Sequence, residues 1–313
     1  MVFCLAAGSA MAQSYPTKIV RVTSPYPTGI SPDISARLIA DKLSRYWGQQ
    51  VLVEARPGGN GFIALGAVKK AAPDGYDLLY VGNAFVTINP VLFKSVPYDP
   101  EADFAPISTV YRGPFFFWVS TKSPYRSIQD IIEVAKKNPE KVAYSTPYVG
   151  SPPHLGGAML AHLSGTRMLA VHFKEGPAIY TSVANGDVAF TLSSPGSAAA
   201  MVKAGLVRNI AAASNERNPD APDVPTVREA GGPAGVEVFA WTGFMAPRGT
   251  PPDIINRVAM DVARALAEPD VRERFKALGV IPTPSAPSEM GNLIKTELRT
   301  NLDVIRKSGI TAE

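Results

Sequence analysis

Apolar residues along this chain follow two patterns that alternate with each other. Short runs of β-branched residues, such as residues 19–22, predict buried strands. Segments in which apolar residues recur every three or four positions, such as residues 31–43, predict amphipathic helices. Residues 19–43 are therefore predicted to form a strand, a turn rich in proline and glycine, and a helix that starts near Ser31. Ser31 or Asp33 is the expected cap of that helix.

The same order of strand and helix recurs along most of the chain. Further strands are predicted in residues 50–54, 77–82, 115–119, 141–145, 169–173, 188–192, 208–213 and 236–245. A strand-helix-strand order is typical of mainly parallel sheets in α/β proteins. The alternation starts again in the second half, and 313 residues are too many for one ordinary core. We therefore predict an α/β fold with two domains.

Two of the predicted turns have the features of anion sites. They span residues 26–33 and 145–154, and each ends at a predicted helix start, with Ser151 as the expected cap of the second helix. A helix N-terminus offers backbone N–H groups and a partial positive charge, so it can bind an anion without a lysine or an arginine. Neither loop contains a lysine or an arginine. The alternatives are an anionic ligand between two facing loops and ordinary turns that bind nothing.

Catalytic and cofactor motifs give no support for an enzyme. Gly59, Gly61 and Ala64 have the spacing of a dinucleotide site, but no acidic residue ends the next strand, so tight backbone packing is the preferred interpretation. Ser151 and His154 lie three residues apart, which is typical of helix capping. The histidines have no acidic neighbour that would complete a metal site. We expect no enzyme, no metal and no cofactor, with a small-molecule hydrolase as the less favoured alternative.

The N-terminal residues indicate an exported protein, and the net charge bears on its partners. Residues 1–12 are apolar and end in Ala-Met-Ala before Gln13, as in the signal peptide of an exported protein. The only cysteine, Cys4, lies in that segment, so we expect a mature chain without disulfides. A net charge of +4 with scattered basic residues argues against a nucleic-acid partner. No apolar run reaches the ~20 residues that a membrane span needs.

Eight segments, in order along the chain, resemble the substrate-binding receptors of tripartite tricarboxylate transporters, also called Bug receptors. They are YPTKIVRV, PYPTGISPDISARL, VLVEARPGGNGFIA, AAPDGYDLL, INPVLFKSVPYDPEADFAPIS, GSPPHL, PDVPTVREAG and WTGFMAPRGTP. The resemblance implies a two-domain periplasmic binding protein of the Venus-flytrap, type II-like kind. A small organic carboxylate would bind in the interdomain cleft. We expect a monomer that delivers its ligand to a two-subunit membrane permease; a receptor for a membrane signalling kinase is the alternative.

The resemblance also implies where the domains meet. Residues 13–117 together with residues 240–313 would form one domain, and residues 118–239 the other. The two chain crossings would lie near Phe117 and Phe239.

Matching the two loops and two strand ends to the family predicts a set of ligand-binding residues. They are Tyr26, Pro27, Thr28, Gly29, Asp33, Gly82, Asn83, Ser145, Thr146, Gly150, Ser151, His154 and Ser193. This chain departs from many members of the family at two places. Ile30 and Ser31 follow the first glycine, which narrows the space beside the backbone. Ser193 and Ser194 stand where many members have an acid and an amide, which argues against an amine on the ligand.

Overall fold

Two separate β-sheets form the frame of the molecule. The computed structural model describes residues 15–218 and 221–308, so the signal peptide expected in residues 1–12 lies outside the described residues. The strands are β1 (Val20–Ser24), β2 (Val51–Ala55), β3 (Asp77–Gly82), β4 (Phe104–Pro114), β5 (Phe116–Ser120), β6 (Ala143–Thr146), β7 (Leu169–His172), β8 (Phe190–Ser193), β9 (Val207–Ala212), β10 (Phe239–Pro247) and β11 (Ile281–Pro282).

Helices cover both sheets. They are α1 (Ser31–Trp47), α2 (Phe62–Lys69), α3 (Asn89–Leu92), α4 (Ile128–Lys137), α5 (Pro152–Leu163), α6 (Gly176–Asn185), α7 (Pro195–Lys203), α8 (Pro252–Ala267), α9 (Pro269–Ala277) and α10 (Pro287–Ser308). A capping box begins α4, because the Ser127 hydroxyl accepts from the backbone of Asp130 and the Asp130 carboxylate accepts from the backbone of Ser127. Within the described residues, no helix is long and apolar enough to cross a membrane.

The two sheets are built on the same plan. The first has the strand order β11-β4-β10-β3-β1-β2, and the second has the order β7-β6-β8-β5-β9. In the first sheet β1 runs parallel to β2 and β3, while β10 runs antiparallel to β3 and β4. In the second sheet β6 runs parallel to β7 and β8, while β5 runs antiparallel to β8 and β9. The predicted α/β fold with two domains is confirmed, but each sheet is mixed, because β10 enters the first sheet and β5 enters the second as antiparallel strands.

The chain passes twice between the sheets, at adjacent positions. Only Phe115 separates the end of β4 from the start of β5, and the return enters β10 at Phe239. A hydrogen bond joins the two passages, since the N–H of Phe115 donates to the carbonyl of Val238. We call the first sheet with helices α1–α3 and α8–α10 the first lobe, and the second sheet with helices α4–α7 the second lobe. The domain boundaries given above stay a prediction.

The apolar residues of β5 form core on both faces of the second sheet. Successive side chains of a strand point to opposite faces. Phe117 and Val119 accordingly belong to one buried cluster, and Phe116 and Trp118 belong to another. β5 lies between β8 and β9, so both of its edges are paired, and its two faces lie in two buried clusters. Burial on two faces explains why residues 116–119 are all apolar.

The longest strand, β4, was not predicted from the sequence. Pro106, Gly113 and Pro114 interrupt its pattern, and such residues normally weaken or end a strand. The structure accommodates them through pairing with β10, whose register with β4 shifts at two places, beside Thr242 and beside Phe244. The strand thus depends on a partner more than a hundred residues away, which local pattern cannot reveal.

Candidate ligand-binding site

A small cavity lies between the two lobes. Its volume is about 60 Å³. The first lobe and the crossing strand contribute Tyr26, Ile30, Pro32, Asn83, Tyr111, Gly113, Phe115, Ala240, Thr242 and Val280 to its lining. The second lobe contributes Pro147, Pro152, Pro153, Ile179, Tyr180, Leu192, Ser193, Ser194 and Ser197. Both loops that were singled out in the sequence therefore reach the cavity.

The structure brings only part of the predicted set of residues to this cavity. Tyr26, Asn83 and Ser193 line it. The first loop otherwise lines it through Ile30 and Pro32, and the second loop through prolines. The remaining predicted residues shape the loops and strand ends around it without lining it; they are Pro27, Thr28, Gly29, Asp33, Gly82, Ser145, Thr146, Gly150, Ser151 and His154.

The start of α1 is engaged by the second lobe. The residue before the helix is Ile30, which provides no side-chain cap, so the expectation that Ser31 or Asp33 caps the helix is wrong. Ser31 is instead the first helical residue, and its N–H donates to the Ser197 hydroxyl at 2.9 Å. Its hydroxyl lies 2.7 Å from that of Ser194 and accepts from that of Ser197 at 2.9 Å. Three serine hydroxyls thus join the lobes beside the cavity.

Asp33 has a local role in the first loop. Its buried carboxylate accepts from the N–H of Gly29 at 3.1 Å and from the guanidinium of Arg37 at 3.0 Å. An acidic residue in the first turn of a helix also interacts favourably with the helix dipole. The charge of Asp33 is therefore compensated within the first lobe.

The start of α5 is satisfied within its own loop. Ser151 is its cap, as predicted, and its hydroxyl accepts from the N–H of His154 at 3.3 Å. The next two positions are Pro152 and Pro153, which have no N–H to offer. The N–H of Gly150 donates to Nδ1 of the His154 ring at 3.0 Å, so the ring accepts there and carries its proton on Nε2.

Two histidines stand side by side behind the second loop. The rings of His154 and His172 lie 5.4 Å apart in an edge-on arrangement, and Nδ1 of His172 lies 2.8 Å from the Thr146 hydroxyl. Burial, together with the charge that His172 would carry, lowers the pKa of His154 to about 4. Burial also lowers the pKa of His172. Both shifts favour the neutral ring, which suits the hydrogen bond that His154 accepts from Gly150.

Tyrosine hydroxyls supply neutral donors around the cavity. Burial raises the pKa of Tyr26 and of Tyr111 well above the usual value. Burial also raises the pKa of Tyr180 to about 12, although hydrogen bonds to Ser193 and Ser197 act in the opposite direction. Sequence reasoning missed Tyr111 and Tyr180. Tyr111 lies on the unpredicted strand β4, and Tyr180 lies on α6 with no local motif that marks it.

Residues 194–197, which we call the latch segment, all contact the first lobe. Ser194 and Ser197 bond to Ser31 as described. The N–H of Gly196 donates to the carbonyl of Leu278 at 2.9 Å, and a Cβ at Gly196 would overlap the Leu278 backbone. Pro195 packs against Gly279, whose own Cβ would come within 2.5 Å of the proline ring. These contacts describe a molecule whose lobes are closed on each other.

The described residues contain no candidate metal site. Among the described residues, no three or more histidine, cysteine, aspartate or glutamate side chains come together in a way that could hold a metal ion.

Comparison with known proteins places this fold in a family. The model of the tripartite tricarboxylate transporter family receptor matches residues 35–310. Protein BugT of Bordetella pertussis is 31% identical over 313 residues, which cover 98% of this chain and 95% of that protein.

Solved structures of similar proteins share the fold closely. The R. palustris protein Rpa4515 with adipate is 29% identical, with a TM-score of 0.90 over 95% of this chain and 99% of that one. MatC from Rhodopseudomonas palustris with bound malate is 29% identical, with a TM-score of 0.87 over 93% of this chain and 100% of that one. The family match over most of the chain, the BugT relative and these structures together confirm the resemblance, and the chain belongs to the receptors of the tripartite tricarboxylate transporter family, the Bug receptors.

Proposed function

We propose that this receptor captures a small organic carboxylate between its lobes in the periplasm and delivers it to a tripartite tricarboxylate-type membrane transporter. The cavity enclosed by both lobes carries the proposal, because a ligand there would contact each lobe and stabilise the closed arrangement. The adipate and malate held by the two similar structures support a carboxylate as the ligand class. A binding protein of this kind releases its ligand unchanged, so we expect no turnover.

Neutral donors would hold the carboxylate. Tyr26, Asn83 and Ser193, which were predicted from the sequence, line the cavity, and the hydroxyls of Tyr180 and Thr242 line it with them. Hydrogen bonds to an ionised acceptor are shorter and stronger than those between neutral groups. Several such bonds can compensate one carboxylate without a cationic side chain. The other residues of the predicted set would act by fixing the shapes of the two loops.

Closure would couple binding to delivery. Ser31 can bond to the latch segment only when the lobes are closed on each other. A ligand that stabilises the closed arrangement therefore also stabilises those bonds. The population of the closed form then rises with ligand, and the membrane transporter can distinguish loaded from empty receptor by its shape.

Two experiments test this function. Mass spectrometry of small molecules released from freshly purified protein should find a carboxylate, and calorimetry should then show that it rebinds. Tyr180→Phe removes one hydroxyl from the cavity and should weaken that binding by about 0.5–1.5 kcal/mol. The matched change Tyr125→Phe, outside the lining of the cavity, should have no effect. Equal affinity of Tyr180→Phe and wild type would place the ligand elsewhere.

Uptake of the labelled carboxylate by cells tests the transport step. Cells that lack the receptor should lose uptake, and the gene supplied on a plasmid should restore it. Normal uptake accompanied by loss of a transcriptional response to the same carboxylate would favour the alternative, a receptor for a signalling kinase.

A further inference from the structure

We propose that Asn89 sets the affinity of the receptor by opposing closure of the lobes. Its side-chain oxygen is enclosed by the second lobe, so it loses water on closure without gaining a hydrogen bond. This inference rests on the proposed function, since it concerns the same closure that would hold the carboxylate. Asn89 is not among the residues that line the cavity, so it would act on affinity through the position of the lobes.

The amide of Asn89 is bonded on one side only. Asn89 is the first residue of α3 and is fully buried. Its Nδ2 donates to the carbonyl of Asn60 at 2.8 Å and lies 3.4 Å from the Tyr98 hydroxyl. The reverse orientation would place Oδ1 against the carbonyl of Asn60, so this bond fixes which atom is which.

The oxygen of the same amide has no donor. An amide oxygen can accept two hydrogen bonds. Within residues 15–218 and 221–308, Oδ1 of Asn89 is the only buried side-chain nitrogen or oxygen without a hydrogen-bond partner. Because buried polar groups are nearly always paired, this exception requires a physical reason.

Gly150 of the second loop covers this oxygen from the other lobe. A Cβ at Gly150 would lie 3.0 Å from Oδ1 of Asn89. The N–H of Gly150 is committed elsewhere, since it donates to the ring of His154 at 3.0 Å. Beside this contact, the ring of Tyr148 packs on that of Phe85, with their centres 4.9 Å apart. The second lobe thus encloses Oδ1 without supplying a donor.

Parting of the lobes would remove this cover. Asn60 and Tyr98 flank α2 and α3 of the first lobe, so their contacts with Asn89 do not depend on the second lobe. Oδ1 is different, because it can accept from water when Gly150 moves away. Dehydration of an acceptor without a new partner lowers the equilibrium constant for closure between about fivefold and 150-fold. The apparent affinity falls by the same factor if the empty receptor is mainly open.

Asn89→Leu separates the two sides of the amide. Leucine has nearly the shape of asparagine but no acceptor. Loss of the contacts with Asn60 and Tyr98 weakens the first lobe in both positions of the lobes, so the unfolding free energy should fall. Loss of Oδ1 removes the opposition to closure, so calorimetry with adipate and malate as probes should show binding tightened between about fivefold and 150-fold. A purely structural role of Asn89 would not give lower stability together with tighter binding.

Two further variants complete the comparison. Tyr98→Phe removes a hydroxyl on the paired side of the amide and keeps Oδ1, so it should lower stability and leave affinity unchanged. Asn89→Asp places a carboxylate, which is harder to dehydrate, at the covered position and should weaken binding at least about tenfold. Unchanged or weaker binding in a folded Asn89→Leu protein overturns the inference. If that variant does not fold, unchanged affinity in Asn89→Asp overturns it.

Distances between the lobes of the empty protein separate this inference from the proposed function. Spin labels at Ile63→Cys and Val202→Cys would occupy exposed positions on α2 and α7. Without any carboxylate, Asn89→Leu should raise the ratio of the shorter to the longer distance at least about fivefold over the wild type. Equal distributions in the two proteins overturn the inference. A shifted distribution with no binding of adipate or malate to either protein supports the inference and counts against the proposed function.

Discussion

The two loops that end on helix starts look alike in the sequence but are completed in different ways. In the second loop, Ser151 caps α5 and His154 accepts from Gly150, so every one of these bonds lies within the loop. In the first loop, the N–H and hydroxyl of Ser31 bond to the latch segment of the other lobe. The second loop can keep its bonds in any position of the lobes, whereas the first loop keeps these only when the lobes are closed.

This difference gives the two loops different functions. The second loop acts as a wall of the cavity whose capping hydrogen bonds lie within the second lobe, although the ring of Tyr148 packs on Phe85 of the first lobe at 4.9 Å. The first loop gains hydrogen bonds on closure, because the start of α1 bonds to residues 194–197 when the lobes come together. Changes in the second loop should therefore affect folding stability, and changes in the first loop should affect ligand affinity.

Acid should act on the second loop and have the largest effect. The pKa of His154 is lowered to about 4 in the folded chain, from an ordinary value of 6.5. Between these values the unfolded chain binds a proton that the folded chain does not, so the stability due to neutral His154 is complete above pH 6.5 and is lost as the pH falls towards 4. The loss should reach about 3 kcal/mol. Denaturant unfolding at a series of pH values measures it.

A matched pair of variants assigns that effect. His154→Gln removes the titrating group and should flatten the dependence of stability on pH. His162→Gln, on the exposed side of α5, should leave it as in the wild type. Parallel pH profiles for the wild type and His154→Gln would mean that the ring of His154 does not set the acid sensitivity of the second loop.

A single methyl group in the latch segment should weaken ligand binding next most strongly. A Cβ at Gly196 would overlap the Leu278 backbone across the lobes. Alanine at this helical position suits α7, so Gly196→Ala should fold and oppose closure. Overpacking of about 1–3 kcal/mol lowers affinity between about fivefold and 150-fold. Gly66→Ala, where a Cβ meets nothing within 4 Å, is the control and should keep wild-type affinity. Unaltered calorimetric affinity in Gly196→Ala would contradict the closed arrangement described here.

Removing one hydroxyl from each loop compares them directly, with the smallest expected effects. Ser31→Ala should lower affinity by about 0.5–1.5 kcal/mol because it removes a bond made on closure, and it should change the unfolding free energy of the ligand-free protein little. Ser151→Ala should lower the unfolding free energy by about 1 kcal/mol through loss of a cap. Its affinity should stay near that of the wild type. Identical patterns in the two variants would remove the distinction between the loops.

Local features of the fold could be predicted from the sequence, and features that join distant residues could not. The strand at Asp77–Gly82 and the cap at Ser151 depend on neighbours within a few positions, and both were predicted. β4 was missed because its irregular sequence is stabilised by β10.

The same difference between local and distant features holds for the candidate site. Its two loops could be found because each is a continuous stretch that resembles the family. The partner of Ser31 could not, since Ser197 lies 166 positions further along the chain and has an ordinary helical sequence around it. Tyr111 and Tyr180 reach the cavity only because the two sheets place β4 and α6 against it. Which polar side chains converge is a property of the lobe arrangement.

Distances between the lobes, measured by pulsed electron paramagnetic resonance, test the central claim most directly. The only cysteine of the chain, Cys4, precedes the expected mature start, so Ile63→Cys and Val202→Cys would be the labelling sites. These exposed positions lie on α2 of the first lobe and α7 of the second. Saturation with the carboxylate released from the purified protein should move the distance distribution to a single, shorter distance. An unchanged distribution, with calorimetry showing that the carboxylate is bound, would contradict closure of the lobes around the ligand.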